Sequence, residues 1–277
     1  MFEFLQYDWF VRALMIGGMT AVMCSLLGIF VVMRRMAFLG DAIAHSAFTG
    51  IALGLLWGFD LNITVLIVCM LVGAGVTFFR NRLPLSADTV IGVFFSVMLA
   101  LGILIVSFLK GYRVDLLSYL FGDILAVSRA DVLVSGVLFI LVLAIFFFIL
   151  NPLLRMTFHE DLAKVGGVRV GFYNYLFTIL VAMTIGIGLK IIGVLLVSAF
   201  LIIPAATAKT ISFSFRQMLL FSLFFGFVSA MGGLILSFYL NLPSGPTIVV
   251  LNGIFFFVAS LLRSFLQKLI RRQKILL

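Results

Sequence analysis

The chain has 277 residues, a formal net charge of +9 and 64% hydrophobic residues, and only 10% of it is charged. Soluble domains carry about 25% charged residues, and no water-soluble core of this length takes in 32 phenylalanines together with repeated apolar runs. A soluble enzyme or binding module is therefore excluded, and the expected class is an all-α polytopic membrane protein. The positive charge does not by itself mark a nucleic-acid binder, because basic residues of membrane proteins gather in cytoplasmic loops.

In chain order, runs of about 20 apolar residues, the length a bilayer core requires, fall near 11–33, 38–57, 61–79, 88–109, 131–150, 171–189, 191–211, 216–240 and 247–265. A cleavable leader is not expected, since MFEFLQYDWF has no basic n-region and the first run is long enough to span. The stretch DLLSYLFGDILAVS (115–128) has helical character but is too short to cross, and reads as a re-entrant or interfacial helix. The expectation is eight to nine transmembrane helices plus that short one, forming a single membrane domain over 1–277.

The basic residues test this layout. With the N-terminus outside, fourteen of the 19 Lys and Arg fall on the inner side: Arg34, Arg35, Arg80, Arg82, Arg155, Lys164, Arg169, Lys209, Arg216, Arg263, Lys268, Arg271, Arg272 and Lys274. Arg12, Lys110, Arg113, Arg129 and Lys190 fall outside. That bias predicts a cytoplasmic C-terminus, with the basic tail 263–277 lying on anionic lipid.

The chemistry concentrates in FLGDAIAHSAFTG (38–50). Residues four apart share a helix face, so Asp41, His45 and Thr49 form a polar line. Ala42, Ser46, Gly50 and Gly54 form a line of small residues beside it, suited to the close approach of another helix. An ionisable residue inside a span costs about 2.5–3.5 kcal/mol on insertion scales, so the pair needs a partner, water or an ion. Three readings are open at this point. Asp41 caps the helix while His45 bonds a backbone carbonyl; or the pair relays protons; or it ligates a passing Zn²⁺, Mn²⁺ or Fe²⁺, for which carboxylate and imidazole are suitable donors. A second helix interrupted by a small-residue or proline stretch, SAFLIIPAATA (198–208) with Pro204, is the kind of feature that accompanies a transport site. Ser46, Thr49 and Pro204 are candidate pathway residues.

The remaining candidates are plainer. His159-Glu160-Asp161 begins like a zinc-protease helix, but the second histidine of HExxH is absent, so a solvated loop is expected. Cys24 and Cys69 have no metal-type spacing and read as inert buried thiols. No GxxxxGK[ST] phosphate loop occurs, so ATP hydrolysis, if it drives the protein, belongs to another chain.

Several stretches together resemble the membrane permeases of bacterial metal-uptake ABC transporters. They are VVMRRMAFLGDAIAHSAFTGIALG (31–54), YRVDLLSYLFGDILAVSRADV (112–132), MTFHEDLAKVGGV (156–168), KIIGVLLVSAFLIIPAATAK (190–209) and LPSGPTIVVL (242–251). Within that family the zinc-uptake permeases are most similar. The resemblance implies a small version of the vitamin B12 importer fold in the bacterial inner membrane. It implies a homodimer around one pathway, two cytoplasmic ATPase subunits and an extracytoplasmic metal-binding protein that delivers the ion. It implies no permanently bound cofactor and no nucleic acid. The family's Asp and His of the second helix correspond to Asp41 and His45. Its cytoplasmic coupling helix corresponds to the segment near 158–168, with Glu160, Asp161, Leu162, Ala163 and Gly166 set against the ATPase. The transported ion implied is zinc. The alternatives are a manganese or iron permease of the same family and a proton-coupled secondary carrier. An intramembrane enzyme would need a further catalytic group at the depth of the pair, and the sequence offers none.

Overall fold

The computed structural model describes residues 6–108 and 127–275. Among them ten helices follow one another: α1 (Asp8–Met33), α2 (Leu39–Trp57), α3 (Leu61–Arg82), α4 (Ala87–Phe108), α5 (Arg129–Phe158), α6 (Glu160–Val165), α7 (Val170–Ile192), α8 (Val194–Ile211), α9 (Phe215–Leu240) and α10 (Ser244–Ile275). In lipid a helix satisfies its own backbone, and no strand occurs among the described residues. Eight of the ten are long and apolar enough to cross a bilayer. The ninth expected crossing, α8, has 18 residues. At 1.5 Å per residue it is about 27 Å long, slightly short of a ~30 Å core. It is enclosed by α1, α2, α9 and α10, so its length need not match the lipid. Most of the expected interfacial segment, 115–126, lies outside the described residues.

Hydropathy locates the helices well and their ends less well. The fifth runs on through Pro152 to Phe158, where the apolar run alone suggested a stop near 150. The chain turns from α7 into α8 at Gly193, whose φ of 82° is open to glycine. Helix α9 closes on Asn241 in the left-handed region (φ 50°), a usual αL cap. The basic stretch after 263 continues α10 through Ile275.

Helix α1 is the hub: it contacts α5, α7, α8 and α9, and its side chains from Ala21 to Val31 are almost all buried. What lets neighbours reach it is missing bulk. A Cβ at Gly28 would overlap the Leu201 carbonyl oxygen of α8, and one at Gly226 of α9 would overlap the Ser25 hydroxyl. Phe30 then fills the space below, with ring centroids 5.9 Å from Phe146, 6.3 Å from Phe177 and 5.8 Å from Phe215. Association in lipid depends on such packing, because apolar surface gains nothing by leaving one hydrocarbon for another.

Two contact sets mark opposite ends of the bundle. At the start of α1, Arg12 donates to the Val127 carbonyl at 2.9 Å, and Arg129 pairs with Asp8 at 3.6 Å. At its other end, Arg34 donates to Asn174 Oδ1 at the start of α7. The turn into α2 is tight: Met36 N–H bonds Val31 O at 3.0 Å, Arg35 takes φ 55°, and Met36 is buried. This 6→1 closure of the helix end fixes where α2 begins.

Overpacking costs about 1–3 kcal/mol, so Gly28→Ala should lower the melting temperature of the detergent-purified protein clearly. Gly136→Ala, where a Cβ meets nothing within 4 Å, should leave it unchanged or raised.

Candidate functional site

Helix α2 divides its faces as the sequence pattern suggests. The small-residue line receives α3: Gly50 leaves room for the Val65 backbone, Gly54 for Leu61 and Thr64, and Ser46 lies 4.0 Å from Cys69 Sγ. Gly40 receives Ser198 and Leu201 of α8. The polar line faces α4. The His45 ring meets Phe95 edge-on, centroids 4.7 Å apart, and the Thr49 hydroxyl donates to the Met98 carbonyl. Gly102 of α4 allows this approach, since a Cβ there would strike Phe48 and Thr49.

Asp41 occupies the first turn of α2, where a carboxylate suits the helix dipole. It is not the cap: the N-cap position is Phe38 and carries no side-chain cap bond. His45 Nδ1 lies 2.9 Å from the Asp41 backbone carbonyl. A carbonyl oxygen only accepts, so Nδ1 carries the proton and Nε2 of the neutral ring holds the lone pair. A backbone carbonyl on the far ring nitrogen is how metal-ligating histidines are commonly oriented. Both side chains are half-buried. The imidazole bonds the Asp41 backbone rather than its carboxylate, which is not the direct carboxylate-to-ring bond of a proton relay. Among the described residues no group of three or more His, Cys, Asp or Glu that could hold a metal ion occurs.

The structure treats the other candidates differently. Ser46 is fully buried and its hydroxyl donates to Ile43 O at 2.6 Å. Thr49 is buried and committed to α4. Pro204 is buried inside α8, beyond the Ser198–Leu201 contact with Gly40. Cys24 and Cys69 are free and buried, as expected of packing thiols.

The segment near 158–168 forms the six-residue α6. Ala163 is its anchor, buried with Met156 and Val170. Leu162 and Val165 point outward at 67% and 88% exposure, while Glu160, Asp161 and Gly166 are exposed. Lys164 pairs with Glu160 at 3.0 Å and Asp161 at 3.6 Å, which raises its pKa. An apolar pair beside an acidic edge, held by one buried alanine, is a shape suited to docking. Sequence reasoning missed Phe95 and Met98, because nothing in an apolar helix tells which residue meets a histidine 50 positions away. It also missed the half-burial of Arg34.

A bundle with eight helices long and apolar enough to cross a bilayer, an Asp and a His on its second helix and an exposed amphipathic turn at one end is that of a polytopic membrane protein. The comparisons place it: residues 6–263 match the ABC 3 transport family, and the chain belongs to that family. It is 34% identical over 258 residues to the high-affinity zinc uptake system membrane protein ZnuB of Haemophilus influenzae, covering 93% of this chain and 98% of that one. It is 32% identical over 257 residues to the manganese transport system membrane protein MntC of Listeria innocua, covering 93% and 91%. Among solved structures it superposes on a chain of PsaBC from Streptococcus pneumoniae in complex with Fab with a TM-score of 0.80, at 30% identity and 92% coverage of each. The fold is also shared with a chain of a metal-chelate type ABC transporter in an inward-facing conformation, at a TM-score of 0.69 and 19% identity.

Hydrogen bonds between membrane helices average about 0.6 kcal/mol. Thr49→Val should therefore shift denaturant unfolding by less than ~1 kcal/mol, while Gly102→Leu, which wedges α4 off α2, should destabilise by more.

Proposed function

We propose that this chain is the membrane subunit of an ATP-driven importer that moves zinc into the cytoplasm by alternating access. The observation that carries the reading is the α2 pair: an imidazole whose Nε2 lone pair is set free by the Nδ1 bond, one turn from a carboxylate at the start of a membrane helix. Carboxylate oxygen and imidazole nitrogen replace part of the ion's hydration shell. Two donors hold a metal less completely than the four of a structural zinc site, as release requires. The rest of the shell comes from water and from the same helix of a second copy, so the working unit is a homodimer. The family and the ZnuB relative support the assignment, as does imidazole, a better donor for zinc than for manganese.

In this reading the N-terminus is outside and the C-terminus cytoplasmic, in the bacterial inner membrane. The distribution of Lys and Arg supports that orientation. ATP is hydrolysed by two separate subunits docked on α6 through Leu162, Gly166 and the acidic Glu160 and Asp161, with the buried Ala163 holding the helix in place for them. An extracytoplasmic protein supplies the ion. ATPase closure draws the two α6 helices together and opens the pathway outward, and hydrolysis resets it. The fit of α6 rests on its exposed apolar and acidic edge. A manganese permease is the second reading, supported by the MntC relative.

Uptake of radiolabelled zinc by vesicles holding the chain with its ATPase and binding protein tests this directly. Wild type should import zinc with ATP and resist manganese competition, and His45→Ala should lower uptake at least about ten-fold, the loss of one good ligand. Uptake unaffected by His45→Ala contradicts the site; manganese taken up in preference contradicts the metal. Lysines at Glu160 and Asp161 should release the ATPase on co-purification, and retention would contradict the docking role.

A further inference from the structure

Arg34 sits where α1 ends and the turn into α2 begins, half-buried between α1 and α7. One guanidinium nitrogen, Nη2, donates to Asn174 Oδ1 at 2.5 Å, and its carbon lies 5.8 Å from the Phe177 ring centroid. The other, Nη1, is buried with no acceptor. A buried charged donor left without a partner is among the costlier features a protein retains. Asn174 is itself buried, and its backbone carbonyl accepts from Thr178, whose hydroxyl accepts from Thr77 of α3. Arg34 is thus tied to α7, and through it to α3. Burial pulls its pKa down to about 10, nearby Arg80 adds to the fall, and the charge of Glu160 opposes it. Ala163 of α6 packs with Val170, one turn before Asn174 on α7, which sets α6 and its Glu160 beside the end of α7 that holds Arg34. In this structure, though, its carboxylate is held by Lys164 at 3.0 Å in an exposed i,i+4 pair, among the weakest ion pairs in proteins.

We propose that Arg34 is the positioning residue through which movement of α6 reaches the metal helix: as α6 is driven inward, Glu160 exchanges Lys164 for the unpartnered Nη1 of Arg34. The inference rests on the transport reading above and adds to it the residue that links α6 to α2. The turn that follows makes the link stiff. Met36 is buried, its N–H bonds Val31 O, Arg80 Nη1 lies 3.3 Å from its sulfur, and Leu39 N–H bonds Met36 O at 3.0 Å. A pull on Arg34 therefore shifts the start of α2, and with it Asp41 and His45. Exchange of a weak exposed pair for a buried donor that lacks one favours the moved state once α6 brings Glu160 within reach.

Vesicles holding the complete transporter with zinc, ATP and the binding protein provide the test, with uptake, ATP hydrolysis and thermal stability each measured. Arg34→Gln should keep the ATPase bound and hydrolysis near wild type, while zinc imported per ATP falls about ten-fold, within the range by which linking residues alter coupling. Arg34→Lys should recover part of it. Asn174→Asp is the decisive variant. It gives Arg34 a permanent acidic partner, so stability should hold or rise while zinc per ATP falls. A purely structural role for Arg34 predicts the opposite, normal coupling in a stabilised protein. Unchanged zinc per ATP in Arg34→Gln or Asn174→Asp overturns the relay. Absence of ATP-dependent uptake in the wild type overturns the transport reading instead.

Discussion

Helix α1 can stand at the centre of this protein because it presents almost no bulk where α8 and α9 cross it. At Gly28 and opposite Gly226 the backbones approach so closely that a single methyl group would overlap a carbonyl or a hydroxyl. In a lipid solvent nothing pushes apolar helices together, so close contact and the dispersion it permits must hold them. Everything near the site inherits its position from that contact. The tight turn after Val31 sets the start of α2, and α8 meets it at Gly40. The face carrying His45 is left turned toward α4.

The proposed site is economical in donors. One hydrogen bond inside the helix, from His45 Nδ1 to the Asp41 carbonyl, does what a second shell does in a resident metal centre. It fixes the tautomer and leaves the lone pair on Nε2. The same bond supplies the bland explanation of the histidine, and the two are compatible: a satisfied Nδ1 is the condition for a usable Nε2. The small-residue line that the spacing placed beside the pair turned out to be the seat of α3. Ser46 and Thr49 are consumed by packing bonds to Ile43 and Met98, which leaves Asp41 and His45 as the α2 residues with donors to offer.

How far the sequence could be read follows from the physics of each feature. The helices were legible because bilayer thickness imposes a length on them; α2 and α4 begin and end within a residue of their hydropathy limits. The split of α2 into a small face and a polar face was legible because helical periodicity is local. Partners were not. That Thr49 meets Met98, His45 meets Phe95 and Arg34 meets Asn174 depends on how distant helices rotate against each other, and apolar sequences carry little record of it. The end of α5 was misjudged because Pro152 and the charged residues after it resemble a stop, yet the helix continues to Phe158. The docking role proposed for α6 rests on resemblance, since six residues with three charges look like any solvated turn.

The central claim is that α2 supplies the ligands for the ion. Zinc K-edge X-ray absorption on the purified transporter loaded with one equivalent of zinc addresses it most directly. The account predicts imidazole nitrogen and oxygen donors at about 2.0–2.2 Å, with the imidazole signal lost in His45→Ala. A sulfur shell near ~2.3 Å, or an imidazole signal that survives the substitution, would place the metal elsewhere and contradict it.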